Sequence, residues 1–473
     1  MRQQASIRIR AALPGDTGAI AAALMTGDRG AISDGALAAM RDARLAHLLA
    51  ISGLHIGLFA GLIFFGLRAG LALIPALALR FPIKKWAAIG ALMGALFYLL
   101  MTGATVPTQR AFIMAAIVLA GVLLERNAIS MRNVALAALA VLLMAPEVLL
   151  GASFQMSFAA VVALVAAYEL RPRDGILGPG WRRRRVLVYA LGVAVTTLIA
   201  TAATTPFAVY HFNRLVLYGL AANLIAVPLT ALWIMPWSIV AFALMPFGLE
   251  GLALAPMGLG IDAVVWSASS VSSWPGTVQL VPAMPMWGLV LTAVGGLWLL
   301  LWRERWRWCG VGAVMAGMLS LAAANPPDIF ISRDADQAAV RLPGGPYVSG
   351  RRNTFDAELW LRRSGLKSAE IWGRASDAAR CDGQGCTAGA GQDLIAFARS
   401  RDALEEDCRR ATIVIAAVPV RGRCPSARLV IDRFDVWREG AHAVWLSGDR
   451  IRVKTSAEVR GLRPWVETKN RDD

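Results

Sequence analysis

Apolar residues dominate the first two thirds of the chain and then give way to shorter, alternating stretches. Runs at 46–74, 86–102, 108–124, 133–145, 153–170, 186–209, 215–228, 229–246, 286–302 and 308–323 predict about ten bilayer-spanning helices. A weaker, Ser-rich amphipathic stretch lies at 257–273. Breaks at TGATVP (102–107), from Asn223 to Pro228 and in LMPFG (244–248) predict short or discontinuous helices, which lipid tolerates where the backbone lines a protected cavity. Residues 1–45, with a turn at TGDRG (26–30), read as a short amphipathic helical lead-in. Residues 46–324 form the membrane domain. Residues 325–473 are polar and arginine-rich, and segments such as ARLVIDRFDVW (427–437) and HAVWL (442–446) predict a separate soluble α/β domain.

The first span, HLLAISGLHIGLFAGLIFFG (47–66), carries polar groups at a depth where lipid offers them no partner. Drawn as one ideal helix with His47 at zero, His55 falls near about 80° and Ser52 near about 140°. Gly53, Gly57 and Gly61 then share another face, a doubled GxxxG that expects close approach of a second backbone. Gly90 and Gly94 repeat that spacing in the second span. The alternative for both histidines is a hydrogen bond to a neighbouring helix.

Only 17% of the 473 residues are charged and 57% are hydrophobic, with mean hydropathy +0.54, so the polytopic reading holds for most of the chain. The net charge of +16 points first to cytoplasmic loops and only second to a polyanionic partner. Arg80, Lys84 and Lys85, then Arg126 and Arg132, then Arg171, Arg173 and Arg182–Arg185 fall in alternate loops, and RERWR (303–307) joins them if 247–285 stays outside. Both termini then lie on the outer side. An outer N-terminus without a signal-like apolar core expects a missing segment upstream.

With that topology four polar clusters face outward: His47, Ser52 and His55; TGATVPTQR, ending at Arg110; SFQMS (153–157), with Gln155 and Ser157; and YHFNR (210–214), with His211 and Asn213. Asn223 sits deeper. Arg110 has no acidic neighbour in sequence and must meet a distant partner or an anion, the alternative being that it snorkels to headgroups. Gln155 and Ser157 have an alternative as interhelical hydrogen bonds, and His211 and Asn213 as loop residues. No P-loop and no GxSxG elbow occur in the chain, and no metal site or cofactor is expected. Cys381, Cys386, Cys408 and Cys424 form an even set in the soluble domain and expect two disulfides, with three pairings open and zinc as the rival.

AHLLAISGLHIGL (46–58), TGATVPTQRAFIM (102–114), GASFQMSFAAV (151–161) and ALMTGDRGAIS (23–33) resemble the ComEC-type competence protein family over about residues 20–320. The resemblance implies an inner-membrane channel carrying single-stranded DNA during natural transformation, with His47, Ser52, Gly53, His55, Pro107, Arg110, Gln155 and Ser157 at the family's polar motif positions. The lipid bilayer is one partner; a cytoplasmic DNA-translocating motor, a periplasmic DNA-binding protein and a second copy of the chain are the others it implies. The resemblance further implies an N-terminal membrane segment and an OB-like region before this core, which are expected upstream of residue 1. Many relatives end in a metallo-β-lactamase-like domain with a dense His/Asp motif, whereas residues 325–473 hold one histidine, His442, which implies a metal-free, non-hydrolytic and periplasmic counterpart. Two rivals remain open. One is a small-molecule or ion transporter coupling protons through the His/Ser face, the other a membrane hydrolase using Ser52 or a metal on His47 and His55.

Overall fold

The computed structural model describes residues 2–170, 185–342, 345–349, 354–372, 379–390, 393–448 and 450–461. The basic stretch 171–184, and with it Arg171, Arg173 and Arg182–Arg184, lies outside the described residues. The chain divides into two units, a helical one built from 1–211, 215–279 and 289–318, and a second built mainly from 319–473 with 212–214 and 280–288.

The helical unit opens with α1 (Arg2–Ala12), α2 (Gly15–Thr26), α3 (Asp34–Asp42) and α4 (Ala46–Leu49). It continues with α5 (Gly53–Ala72), α6 (Pro75–Arg80), α7 (Ile83–Met101), α8 (Val106–Leu123), α9 (Met131–Met144), α10 (Ala152–Glu169) and α11 (Arg185–Phe212). After the short strand β1 (Arg214–Val216) come α12 (Gly219–Leu229), α13 (Met235–Leu244), α14 (Gly251–Ser272), strand β2 (Val278–Leu280), α15 (Met286–Leu301) and α16 (Cys309–Leu319). Among the described residues seven helices are long and apolar enough to cross a membrane, and α9 and α15 are shorter apolar helices. Large apolar side chains such as Phe65, Leu143, Leu198, Leu232 and Trp266 stay exposed, as lipid-facing groups do.

Four sequence expectations change. The first span is not one helix: Ala50 and Ser52 are extended, and α5 starts only at Gly53. Ser52 caps it, with His55 filling the third position of a capping box, so the angular arrangement of His47, Ser52 and His55 on a single helix does not exist. Pro228 does not break its helix. The backbone passes through a π-helical stretch, Thr230–Ile234, which absorbs the missing N–H, and 219–247 is one continuous span where two were expected. The amphipathic stretch at 257–273 belongs to the full-length α14.

The fourth concerns the glycines. Open space surrounds Gly53, Gly57 and Gly61, because α5 turns Phe59, Ile63 and Leu67 toward α7 instead. The close approach comes from the other partner: a Cβ on Gly90 would collide with Leu67 and one on Gly94 with Ile63.

The lead-in also proves to be core. Residues 18–26 of α2 are all buried, packed with Leu48 and Leu49, with Ala222 and Ala226 of α12, and with Leu254, Met257 and Ile261 of α14. A run of alanines gives little amphipathic signal yet lets helices approach closely on every side. Arg8 of α1 donates to Glu250 at 2.6 and 2.5 Å, fastening this layer to the turn before α14.

The second unit is a four-layer sandwich. One sheet has the order β13-β12-β3-β4-β5-β6, made of β3 (Ile329–Ile331), β4 (Ala338–Leu342), β5 (Gly345–Val348), β6 (Glu370–Ile371), β12 (His442–Ser447) and β13 (Arg450–Thr455). The other runs β11-β10-β9-β8-β7, made of β7 (Ala379–Cys381), β8 (Gly385–Ala390), β9 (Asp393–Ala398), β10 (Ile413–Ala416) and β11 (Leu429–Ile431). Ile329, Ile331 and Val340 meet Ile395, Phe397, Ile413 and Ile415 between the sheets. Helix α17 (Phe355–Arg363) covers the outer face of β3–β5 through Trp360 and Leu361, and α18 (Arg401–Arg410) covers β9–β10 through Leu404. Helices α19 (Arg433–Glu439) and α20 (Ser456–Arg460) complete the unit.

Candidate functional site

The two ends of the helical bundle differ in chemistry. At one end Lys85 pairs with Glu125 at 3.0 Å, joining the start of α7 to the end of α8. Glu169 accepts from the Met131 backbone N–H at 2.9 Å and pairs with Arg303 at 3.0 Å, joining the end of α10 to the start of α9 and the end of α15. The basic connections around Lys84, Arg126, Arg132 and Arg303 therefore gather at one end, as their alternation in sequence predicts. Lys85 beside it holds the Glu125 carboxyl below its ordinary range.

At the opposite end the arginines meet hydroxyls. Thr105 begins α8 in extended conformation, with Val106 and Pro107 in the first turn, and this sets Arg110 one turn inside the helix. Arg110 is 5% exposed, and its Nη2 donates to Ser153 Oγ and Ser157 Oγ, each at 3.0 Å. The two serines stand four residues apart on one face of α10. Arg110 Nη1 is buried with no hydrogen-bond partner among the described residues. Gln155, on the same first turns of α10, faces the other way, bonding His211 Nε2 at 2.8 Å and the Leu149 carbonyl at 3.1 Å. The N-terminal turns of α10 thus hold α8 on one side and the end of α11 on the other.

A second arginine, which the sequence reading missed, has the same setting. Arg44 sits at φ 62°, and its Nη2 donates to the Thr201 carbonyl at 3.2 Å and to Thr204 and Thr205 Oγ1 at 3.1 Å on α11. Its stem lies where a Cβ on Gly219 would go. The Arg44 carbonyl contacts His47 Nδ1 at 3.0 Å. A basic residue just before the first apolar span, with threonines rather than acids in the helix it reaches, was the available signal.

The remaining candidates divide. Ser52 Oγ lies 3.3 Å from His55 Nδ1, and His55, 0% exposed, keeps a buried Nε2 without a partner among the described residues. His47 lies on α4, exposed, with its Nδ1 at the Arg44 carbonyl. Asn223 is buried and donates to the Gly219 carbonyl of its own helix. Asn213 ends α11 at φ 55°, a left-handed turn that asparagine accepts, and its carbonyl receives the Val281 N–H. The two TG turns nest: Gly27, at φ +76°, leaves no room for a Cβ against the Thr102 carbonyl, and Gly103, at φ +78°, lies under the Arg2 guanidinium. Tyr98 Oη donates to the Leu24 carbonyl at 2.6 Å just before the first of them.

In the second unit Cys381 pairs with Cys386 and Cys408 with Cys424. Among the described residues no group of three or more His, Cys, Asp or Glu could hold a metal ion. His442 is buried, with Nδ1 at 2.8 Å from the Gly440 carbonyl. Burial first, then Glu406 and Asp382, push the Asp407 carboxyl up to about 6.

Among the described residues seven membrane-length helices, followed along the chain by a sheet-containing unit, define a multi-pass membrane protein with a soluble C-terminal α/β domain. Residues 24–306 match the competence protein family, and the chain belongs to that family. It is 30% identical over 48% of its length to ComE operon protein 3 of Bacillus subtilis (strain 168), covering 26% of that protein. It is 33% identical over 42% of its length to Competence protein ComA of Neisseria gonorrhoeae, covering 29% of it, and 35% identical over 43% of its length to Uncharacterized protein YcaI of Escherichia coli (strain K12), covering 26% of it. The matched stretch thus spans little more than a quarter of these relatives. No solved structure matches the chain.

Proposed function

We propose that the helical unit carries single-stranded DNA across the bacterial inner membrane during natural transformation, entering at the end that holds Arg110. The observation that carries this reading is the Arg110 side chain, a buried cation held by two serine hydroxyls, with one guanidinium nitrogen left without a partner. A buried arginine without a carboxylate is costly, and an arriving phosphate oxygen relieves that cost by charge-assisted hydrogen bonds. Serines hold the guanidinium in place without neutralising it. Arg44, set among threonines in the same manner, supplies a second positive charge. Contacts of this kind read phosphate and ignore sequence, which suits transport of any strand.

The proposal extends to orientation and partners. The end with Lys85, Arg126, Arg132 and Arg303 faces the cytoplasm by the positive-inside rule, which puts Arg110 on the periplasmic side. Two disulfides in the C-terminal unit favour an oxidising compartment for it. A cytoplasmic motor pulls the strand, since the chain has no nucleotide-binding loop, and a periplasmic DNA-binding protein delivers it. We assign the C-terminal unit no hydrolytic role, because a two-metal centre needs more ligands than its one histidine can anchor.

Replacing Arg110 by alanine in a transformable host tests the assignment. Transformation falls by roughly ten- to a hundredfold, the equivalent of one lost charge-assisted contact, while the protein level in the membrane is retained. Normal transformation by that variant removes Arg110 from the path.

A further inference from the structure

The free edge of the six-stranded sheet carries a feature that the transport path does not use. Strand β13 is the outermost strand, and its side chains alternate strictly. Ile451 and Val453 turn inward to the core between the sheets, while Arg450, Arg452 and Lys454 are exposed on the outer face. The register places Lys454 opposite Ala443, Arg452 opposite Trp445 and Arg450 opposite Ser447. Helix α17 covers the outer face of β3–β5, so this part of the sheet lies outside its cover. Among the described residues no acidic side chain pairs with any of the three cations.

We propose that Arg450, Arg452 and Lys454, with Trp445 beneath Arg452, form a binding stripe for the phosphate backbone of single-stranded DNA. Alternate residues on a strand stand about 6.7 Å apart, close to the step between successive phosphates of an extended strand, so the row can take one phosphate per cation. The Arg452 guanidinium carbon lies 4.4 Å from the Trp445 ring centroid, over the ring, and the indole N–H is fixed by the Asn325 carbonyl at 2.8 Å. A guanidinium held in this way presents its donors in one plane and loses little freedom on meeting a phosphate. Lysines scattered to repel a second sheet edge would need no such support. An anionic membrane is the other polyanion such a row could meet, but the flanking outer positions on β12 are Ala443 and Ser447, which offer lipid no large apolar side chain. The proposal rests on the reading that this protein handles single-stranded DNA.

The test is fluorescence anisotropy of labelled dT20 with the full chain in detergent, over a range of KCl concentrations. Arg450→Gln, Arg452→Gln and Lys454→Gln together are expected to weaken binding at least tenfold at low salt, and to flatten the logarithmic salt dependence by about two, the value for three phosphate contacts on a single strand. Arg450→Lys with Arg452→Lys keeps the charge and should keep the slope. An unchanged slope in the triple glutamine variant overturns the stripe. So does a variant that keeps dT20 binding and loses binding to phosphatidylglycerol vesicles, which assigns the row to lipid. If the triple variant loses dT20 while Arg110→Ala transforms normally, the stripe stands and the transport path is what fails.

Discussion

The two ends of the helical bundle use the same cation in opposite ways. At the basic end Arg303 meets the Glu169 carboxylate and Lys85 meets Glu125, and each pair has one largely exposed member, so water shares the solvation. At the other end Arg110 is buried and held by two serine hydroxyls, and Arg44 is partly buried and held by two threonine hydroxyls and a backbone carbonyl. A carboxylate satisfies a cation and closes it to other anions. Hydroxyls position a cation and leave its charge available. The difference teaches that the number of arginines at a membrane protein's surface says less than what holds them.

The comparison breaks most sharply if one end is given the other's chemistry. Ser157→Glu should supply the missing counter-ion to Arg110, neutralise it internally, and lower transformation at least as far as Arg110→Ala, by roughly a hundredfold. Transformation within twofold of the parent would mean that the free charge of Arg110 is not what the strand meets. Next in size is the scaffold under that end. Gly27→Ala combines a left-handed backbone with a Cβ that has no room beside the Thr102 carbonyl, and should cost about 1–3 kcal/mol, read as a lower melting midpoint in detergent.

The titration of the C-terminal unit is smaller. Its folded state holds the Asp407 proton more tightly than the unfolded chain does, so this group's contribution to stability is fully present below pH 3.8 and is lost as pH rises through about 6. Asp407→Asn should remove that decline, which melts at pH 4.5 and 7.5 would show. The smallest effect belongs to the basic end: Glu169→Gln should change stability by about 0–1 kcal/mol and leave transformation within twofold, because an exposed pair contributes little.

Much of this was legible in the sequence, and the failures share a physical cause. Long apolar runs placed the spans, and the motifs around Arg110 and Ser157 hold residues that α8 and α10 bring together, whereas Gln155 turns to His211 of α11. What pattern could not show was which local device wins. Ser-Gly at 52–53 reads as a helix interior by hydropathy and acts as a cap. Pro228 reads as a break, yet a neighbouring π stretch accommodates it. Gly53, Gly57 and Gly61 present the packing spacing, but rotation of α5 is set by Phe59, Ile63 and Leu67, and the glycines used are Gly90 and Gly94. The lead-in reads as amphipathic, yet Ala19–Ala23 is buried throughout, because alanine packs on any face. Three disulfide pairings were open from spacing alone; fold topology selects 381 with 386 and 408 with 424.

The measurement that bears most directly on the central claim is cross-linking of a strand caught during uptake. A single-stranded DNA tail carrying a thiol-reactive phosphate linkage is presented to cells bearing Ser157→Cys or, for comparison, Leu224→Cys on the exposed side of α12. The account predicts an adduct at position 157 and none at 224. An adduct at 224 alone, or none at 157 while that variant continues to transform, would contradict it.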